Sequence, residues 1–408
     1  MNKFLKYVVI TVVILGFFTI LFLFIFIQTT PIDPNPVELE IQKIIIKEED
    51  VAIEKIKDYT PPPTTSRIRN PEGQLVSHLL DIQSGPSPKG AIFTMDGKEL
   101  WVTLLLNTST GIRIFDPLTG KKLASINLDD GGGVEIIFSN DNTKAYVSQM
   151  ETARIFEIDT NTKKILRIFN TNSTWTKIIE LSQDGNTLYA SNWVGDNVSE
   201  IDLKTGKLKR NIPTVDTPRG IYVTEDGKTL YVAGFENGEI QKINLENNER
   251  KIIYKTDGAM RHIVADEEKS VLYISNMSRK KIFKVSLKTD EVTKFADTDN
   301  KPNTIALSPD KKILFVSNRG ANYSSTNYNI PGPEWGSVIL FDTENGEMLD
   351  AIVGGNQPTA LAISPDGTIL AFSNFLDNII EIYKVPPYEI LKAGKGGRSD
   401  VYKTELKK

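Results

Sequence analysis

Basic side chains recur at one position of a phrase that repeats seven times along the chain. The position lies two residues before a short apolar run. Four of the seven positions are basic: Lys89, Lys177, Arg219 and Arg261. The other three hold Val134, Asn303 and Thr359. Cations that point into one opening focus a positive potential there, and the planar guanidinium of arginine suits carboxylates and phosphates. We therefore expect an anion-binding ring; the alternative is that these side chains pair with Glu135, Glu180 or neighbouring loop carbonyls and only rim the channel.

Further polar residues belong to the same face of the repeat. His262 directly follows Arg261. Amide side chains occur at the ends of the second strands of several units: Asn192, Asn276, Asn318 and Asn374, with Gln149 in the second unit. An amide can offer a ligand both a donor and an acceptor. The alternative is that these amides satisfy backbone groups of the adjoining loops, which is the usual reason for asparagine near a turn.

Histidine and cysteine usage limits the chemistry that the chain can perform. There are two histidines, His78 and His262, and no cysteine. A haem or copper site needs more than one such ligand, and thiolate metal sites, disulfides and covalent c-type haem all need cysteine. No nucleophile elbow or Ser, His and Asp constellation is visible. We expect no cofactor, no metal and no catalytic residue.

The phrase that carries these residues defines the architecture. An acidic residue marks the first turn of each unit: Asp96, Asp141, Asp184, Asp226, Glu268, Asp310 and Asp366. The units are about 42 residues long, and each shows four short runs of β-branched and aromatic residues separated by Gly, Asp and Asn turns. Four strands at this period indicate propeller blades. We predict an all-β, seven-bladed β-propeller in which the first strand of each blade lines a central channel.

The seventh unit lacks a fourth strand of its own. Its third strand, Ile379–Val385, runs straight into Pro386 and Pro387. The segment Gly73–Ile82, which precedes the first unit, resembles the fourth strands of other units. We predict that this N-terminal strand pairs into the last blade and closes the ring, which removes open strand edges.

The sequence motifs of the repeat resemble those of a known family. YVSQ, YASN, YISN and FVSN, with DG or PD turns before them and IDLKTGK or FDTENGE after them, resemble YVTN-type repeats. The chain is similar to YncE-like and lactonase-like seven-bladed propellers over residues 73–388. One fold hosts many functions, so the resemblance specifies the fold and leaves the activity open. It implies an alternative function, a hydrolase for a small anionic or lactone substrate, with His262 or Glu135 as the base and the ring arginines polarising a carbonyl.

Unit six departs from the period by about 14 residues, which lie between its second and third strands. The insertion spans residues 319–336 and carries an arginine with large aromatic side chains: Arg319, Tyr323, Tyr328 and Trp335. This is the residue mix of protein interaction hot spots. We predict a partner-binding loop; the alternative is a plug packed over the channel mouth.

The N-terminal region predicts export and membrane attachment. An uncharged run of about 21 residues, Tyr7–Ile27, is long enough to cross a bilayer. Lys3 and Lys6 precede it, so we expect the N-terminus in the cytoplasm and everything downstream in the periplasm or outside the cell. We predict a single-pass, uncleaved anchor over residues 1–30. The alternative is a cleaved signal peptide.

The remaining boundaries follow from composition. Residues 31–72 are proline-rich at both ends and charged between, which predicts a stalk; the alternative is a strand or short helix that lies against the propeller or a second copy. Residues 73–391 form the predicted propeller, and residues 392–408 a basic C-terminal tail.

The charge balance restricts the partners. A formal net charge of −4 argues against a general nucleic-acid or anionic-lipid binder. We expect an anionic small molecule, a glycan or an envelope protein as the partner, and membrane contact through the N-terminal helix only. The sequence is therefore interpreted as a membrane-anchored extracytoplasmic binding protein or scaffold.

Overall fold

The computed structural model describes residues 67–105, 111–322, 328–394, 398 and 401–408. The predicted anchor, nearly all of the predicted stalk and Tyr323 lie outside these residues. Within the described part of the chain, no helix combines the length and the apolar character that a bilayer span requires. The anchor therefore stays a prediction.

Strand β1 (Ser77–Gln83) precedes the first blade. Blade one contains β2 (Pro88–Phe93), β3 (Leu100–Leu104), β4 (Ile112–Phe115) and β5 (Lys122–Ile126). Blade two contains β6 (Ile136–Phe138), β7 (Lys144–Gln149), β8 (Arg154–Asp159) and β9 (Ile165–Asn170). Blade three contains β10 (Thr176–Leu181), β11 (Thr187–Asn192), β12 (Asn197–Asp202) and β13 (Lys207–Pro213).

Blade four contains β14 (Pro218–Val223), β15 (Thr229–Gly234), β16 (Glu239–Asn244) and β17 (Arg250–Lys255). Blade five contains β18 (Met260–Asp266), β19 (Val271–Asn276), β20 (Lys281–Ser286) and β21 (Val292–Asp297). Blade six contains β22 (Pro302–Leu307), β23 (Ile313–Asn318), β24 (Ser337–Asp342) and β25 (Met348–Val353). Blade seven contains β26 (Pro358–Ile363), β27 (Ile369–Asn374) and β28 (Ile379–Lys384), together with β1. The predicted all-β, seven-bladed propeller is confirmed.

The last blade is closed by the N-terminal strand, as the sequence predicts. Strand β1 pairs antiparallel with β28, and the register runs from Ser77 opposite Lys384 to Gln83 opposite Ile379. The sheet order is β1, β28, β27, β26. Because β1 supplies the outer strand of blade seven, the two ends of the repeat array are joined by backbone hydrogen bonds.

The hydrophobic core lies between neighbouring blades. In β19 and β23 every residue is buried, because both faces of these strands are covered. One cluster joins Phe315 and Leu340 of blade six to Phe372 and Tyr383 of blade seven. Outer strands such as β1 alternate between exposed and covered residues, which is the pattern of a sheet edge with one face in water. Each blade thus depends on its neighbours for burial.

The acidic turn residues of the repeat stabilise the turn between the first two strands. In blade three the Ser182 hydroxyl donates to Asp184 Oδ1 at 2.6 Å, and the Asn186 N–H donates to the same atom at 3.0 Å. These hydrogen bonds lower the pKa of Asp184 to about 2. The same arrangement occurs around Asp96 and Asp366. The recurring acid is therefore explained by turn geometry.

Contacts of the propeller extend upstream of β1. Arg67 donates to Glu381 at 2.6 Å and to the Val353 carbonyl at 2.8 Å, and both charged side chains are buried. Arg69 donates to Asp81 at 2.9 Å. These arginines fasten the segment before β1 to blades six and seven.

The C-terminal residues pack against blade six. Helix α1 (Tyr388–Gly394) follows β28, and helix α2 (Tyr402–Glu405) lies near the chain end. Tyr402 is buried and donates to Asp299 at 3.2 Å. The Leu406 carbonyl accepts the Trp335 N–H at 2.8 Å. The basic tail is therefore folded onto the blade-six insertion at residues 402–408.

Candidate functional site at the channel mouth

The basic residues predicted to form a ring occupy one position of the innermost strands. Each is the second residue of its strand: Lys89 in β2, Lys177 in β10, Arg219 in β14 and Arg261 in β18. Asn303 and Thr359 hold the same place in β22 and β26. Lys89, Arg219, Arg261 and Thr359 line one small void of about 10 Å³ at this level of the channel, together with Glu135. The structure thus brings three of the four predicted basic residues to one void, and the charges of Arg219 and Arg261 also act on Lys177.

A hydroxyl group fixes the backbone at this level. In blade three, strand pairing breaks between Thr176 and Ile179. The Ile178 N–H there donates to Ser191 Oγ at 3.1 Å, and the Ser191 hydroxyl donates to the Arg219 carbonyl of the next blade at 2.9 Å. One serine therefore both fills the gap in its own sheet and holds the next ring residue. We call this contact the seryl bridge.

Seryl bridges recur around the channel. Ser148 donates to the Lys177 carbonyl at 2.6 Å, and Ser275 donates to the Asn303 carbonyl at 3.0 Å. Thr103 takes the same part in blade one, with 2.9 Å to the Val134 carbonyl. Blade four has Ala233 at this position. These bridges explain why serine recurs in the YVSN phrase.

A fifth cation joins the ring from the blade-six insertion. Arg319 directly follows β23, and its charge acts on Lys89, Lys177 and Arg261. Burial, followed by the charges of Arg261 and Arg319, holds the pKa of Lys89 well below its usual value. Burial also lowers the pKa of Arg219 to about 10. We call Lys89, Lys177, Arg219, Arg261 and Arg319 the basic ring.

No carboxylate pairs with the basic ring in the described part of the chain. None of its five members forms an ion pair within 4.0 Å with a described residue. No ion-pair contact within 4.0 Å joins them to Glu135 or Glu180, although the charge of Glu135 acts on Arg219 and Arg261. Arg219 Nη1 and Arg319 Nε are buried without a described hydrogen-bond acceptor. The mouth consequently presents donors that a ligand can satisfy.

Aromatic rings contact the two lysines of the basic ring, whereas Arg319 donates to Gln357 and Arg261 Nη1 donates to Met277 Sδ at 3.6 Å. Lys177 Nζ lies 3.8 Å from the centre of the Trp193 ring and 5.3 Å from that of Trp175. Lys89 Nζ lies 5.2 Å from the centre of the Phe375 ring. These are cation–π distances, which stabilise a cation without neutralising its charge.

The channel turns acidic below the basic ring. A cavity of about 410 Å³ lies toward the acidic-turn side and is lined by Glu135, Glu180, Tyr222, Glu225 and Glu267, among others. Burial and the neighbouring charge of Glu135 raise the pKa of Glu180 to about 8. The channel therefore carries positive charge at one mouth and carboxylates toward the other.

His262 lies between these two regions and is neutral. Its Nδ1 accepts the Ile305 N–H at 3.5 Å. Burial and the charges of Arg219 and Arg261 lower the pKa of His262 to about 3. A base this weak accepts a proton poorly at neutral pH, which does not favour His262 as a general base.

Comparisons with known proteins agree with this architecture. A model of the YNCE-like beta-propeller family matches residues 81–329. The chain belongs to the YNCE-like β-propeller family. Antigen Lp49 of Leptospira interrogans serogroup Icterohaemorrhagiae serovar copenhageni is 30% identical over 329 residues, which is 77% of this chain and 70% of that protein. The resemblance read from the repeat phrases is confirmed.

A solved structure of Kuenenia stuttgartiensis hydrazine synthase shows the same fold. It superposes on this YNCE-like propeller with a TM-score of 0.62 and covers 74% of this chain and 96% of that chain. The two sequences are 17% identical. At this identity the likeness concerns the fold alone.

The four asparagines predicted to bind a ligand form hydrogen bonds within the protein, although Asn318 Oδ1 has no described partner. Asn192, Asn276, Asn318 and Asn374 are fully buried. The Asn192 amide donates to Asn197 at 2.7 Å and to Ser199 at 2.8 Å, and its oxygen accepts from Thr176. Asn276 donates to the Gly258 carbonyl at 2.9 Å and accepts the Arg279 N–H. Their part in ligand binding stays a prediction, and the basic ring contains buried donors without a described acceptor.

The blade-six insertion divides between the mouth and the core. Tyr328 is 48% exposed, and its ring lies 5.8 Å from the Arg319 guanidinium. Trp335 is only 4% exposed, because Arg67, Tyr402 and Lys408 cover it. Trp335 thus packs in the core and offers no contact surface to a partner in this structure. The partner-binding role predicted for the loop rests on Arg319 and Tyr328, since Tyr323 lies outside the described residues.

A second circle of side chains surrounds the mouth, and the sequence reasoning missed it. It consists of the residue that follows the second strand of each blade. Six of these residues are apolar: Leu105, Met150, Trp193, Phe235, Met277 and Phe375. The seventh is Arg319. We call the six apolar residues the collar. The sequence already contained this signal. In units two to seven, the residue after the SQ, SN or AG pair is Met, Trp, Phe, Met, Arg and Phe, in that order.

Proposed function

We propose that this YNCE-like propeller is an extracytoplasmic binding protein, held at a membrane by residues 1–30, that binds an anionic ligand at the channel mouth. The observation that carries the proposal is the basic ring, with five cations and no ion pair to any described carboxylate. The predicted anchor supports the location, because its charge pattern indicates export of the propeller.

The energetics of the basic ring favour an anionic occupant. Lys177, Arg219 and Arg261 are 7%, 5% and 7% exposed. A buried charge that lacks a partner is costly, and like charges nearby add to the cost. An anion removes both penalties at once, and charge-assisted hydrogen bonds to arginine are about twice as strong as neutral ones.

The space at the ring limits how the ligand enters. The void among Lys89, Arg219 and Arg261 has a volume of about 10 Å³, which is room for about one water molecule. A single carboxylate or phosphate can reach the ring if the long side chains move, whereas a whole metabolite cannot fit inside it. We expect the anionic group in the ring and the rest of the ligand on the outer face.

The test is a binding screen with a charge-matched control. The full-length chain is heated with sugar phosphates, carboxylates, lactones and divalent metals, and the shift in melting temperature is measured for each. Arg219→Gln with Arg261→Gln removes two ring charges. Lys204→Gln with Lys207→Gln removes two exposed charges, one from the turn after β12 and one from the first position of β13.

Anions are expected to stabilise the wild type and the control but not the ring variant. Equal stabilisation of all three by every anion contradicts the proposal. Turnover of the lactones is followed in the same samples and tests the hydrolase alternative. Separation of soluble and membrane fractions tests the predicted anchor.

A further inference from the structure

The collar residues sit directly beside the basic ring. The Trp193 N–H donates to the Trp175 carbonyl at 2.9 Å, and Trp175 lies two residues before Lys177. The Phe235 N–H donates to the Thr217 carbonyl at 3.0 Å, two residues before Arg219. The same bond links the collar position to the residue two before the ring in four further blades, with donors at Leu105, Met277, Arg319 and Phe375. Backbone geometry therefore holds the collar around the mouth.

The collar residues Trp193 and Phe235 form a continuous aromatic wall with Trp175, which lies beside the collar. The rings of Trp175 and Trp193 have centres 5.8 Å apart, and those of Trp193 and Phe235 lie 5.4 Å apart in an edge-to-face arrangement. All three residues are half-buried, so their rings are accessible in part. Trp193 Nε1 is buried and has no described acceptor. The wall thus offers apolar surface together with one more unsatisfied donor.

Methionines flank the wall on both sides. Met150 precedes it in blade two and Met277 follows it in blade five, and both are half-buried. Methionine adapts its shape and makes favourable contacts with aromatic rings. Leu105 and Phe375 are buried in a cluster with Val134, so the apolar rim that is partly open to solvent consists of the other four collar side chains. An occupant that covers them gains by the hydrophobic effect.

We infer that the ligand of this mouth is a small aromatic acid, in which one carboxylate or phosphate enters the basic ring and an aromatic body lies on the collar. This inference rests on the proposed function and adds the chemical class of the ligand. Charge selects the head group, because three cations of the basic ring line the void and Glu135 is the one carboxyl group among its lining residues. Ring stacking against Trp193 and Phe235 selects the body, since aromatic pairs prefer the tilted and edge-to-face contacts that this wall provides.

The experiment compares ligands of equal charge and increasing apolar surface. Acetate, hexanoate and phenylacetate are titrated into the full-length chain by calorimetry, with phenyl phosphate to compare the head groups and 2-phenylethanol as the uncharged probe. Phenylacetate is expected to bind at least about tenfold more tightly than acetate, and 2-phenylethanol is expected to show no measurable binding.

Two variants separate the head-group contacts from the body contacts. Phe235→Gln is expected to weaken phenylacetate about tenfold and to leave acetate unchanged. Met277→Gln serves as a second collar variant in case the first does not fold. Arg219→Gln with Arg261→Gln is expected to abolish binding of all the acids.

The outcomes distinguish this inference from the proposed function. Equal affinity for acetate, hexanoate and phenylacetate overturns the aromatic-acid inference and leaves the anion site standing. Binding of 2-phenylethanol as tight as that of phenylacetate overturns it as well, because the ring then plays no part. Hexanoate as tight as phenylacetate overturns the aromatic preference. Absence of binding by every acid, including phenyl phosphate, overturns both the inference and the proposed function.

Tryptophan fluorescence emission tests independently where the ligand binds. Trp175 and Trp193 lie at the mouth, whereas Trp101 and Trp335 are buried elsewhere at 0% and 4% exposure. Phenylacetate is expected to change the emission of the wild type and not that of Trp193→Phe with Trp175→Phe. A change that persists in this variant places the ligand elsewhere and contradicts the inference.

Discussion

Lys177 and Trp193 join the basic ring to the collar: the lysine ammonium lies 3.8 Å from the centre of the indole ring. A desolvated cation–π contact is worth about 2 kcal/mol. Even so, burial and the charges of Arg219 and Arg261 hold the pKa of Lys177 well below its usual value. The surroundings of Lys177 therefore disfavour its charge on balance.

Removing that charge is expected to stabilise the unliganded protein. Lys177→Met keeps the apolar stem beside Trp193 and removes the repulsion, so the free energy of unfolding should rise by about 1 kcal/mol. Urea denaturation at neutral pH measures the change. Lys204→Met, at an exposed position, is the matched control and should change stability by less than about 0.5 kcal/mol. A loss of stability in Lys177→Met would show that the ammonium is satisfied where it lies.

The seryl bridges are expected to contribute to stability. Ser191→Ala removes the acceptor of the Ile178 N–H and the donor to the Arg219 carbonyl, and it leaves both groups buried. A loss of about 1–3 kcal/mol in the free energy of unfolding should follow. Ser125→Ala, on the exposed strand β5, is the control and should have little effect. Equal stability of the two variants would mean that water replaces the serine hydroxyl.

Periodicity explains why so much of the fold could be predicted from the sequence. The positions of Lys89, Lys177, Arg219 and Arg261 in one ring follow from counting within a repeat, as does the closing strand. The side chains that surround those residues could not be predicted by counting within a repeat. Whether Arg219 meets a carboxylate depends on side chains from blades that are remote in sequence. Trp335 shows the same limit, because the residues that cover it lie at Arg67 and beyond Val401, outside the repeat.

Glu180 should make stability depend on pH. In the folded protein its pKa is raised from 4.5 to about 8, so the folded state holds a proton that the unfolded state releases. The stabilisation that protonated Glu180 contributes is therefore fully present below about pH 4.5 and is lost as the pH rises toward 8. Glu180→Gln should flatten this part of the stability profile. Urea denaturation between pH 5 and pH 8 makes the comparison, and an unchanged slope in the variant would contradict the assignment to Glu180.

The Arg67–Glu381 ion pair is expected to anchor the segment before β1. Both side chains are buried, at 1% and 0% exposure, so removing Arg67 leaves Glu381 with only the longer contact to Arg69 Nε at 3.6 Å as an ion pair among the described residues. Arg67→Met should lower the free energy of unfolding by about 3–5 kcal/mol. Adding Glu381→Gln should recover part of that loss, because the orphaned charge is then gone.

An exposed ion pair provides the comparison for Arg67. Arg154 and Asp130 are 33% and 68% exposed and lie 3.0 Å apart. Arg154→Met should cost less than about 1 kcal/mol. If Arg67→Met is no more damaging than Arg154→Met, the segment before β1 is not held by this pair.

Because β1 closes blade seven, the first strand of the propeller to be synthesised pairs with the last. Gln83 pairs with Ile379, which is synthesised about 300 residues later. At about 5–20 residues per second, synthesis of the intervening chain takes about 15–60 s. During that time β1 has no partner, and an unpaired strand edge is a template for wrong pairing. The first strand thus acts as a test of completeness, because a chain that stops before Ile379 keeps an open edge and stays a target for aggregation and proteolysis.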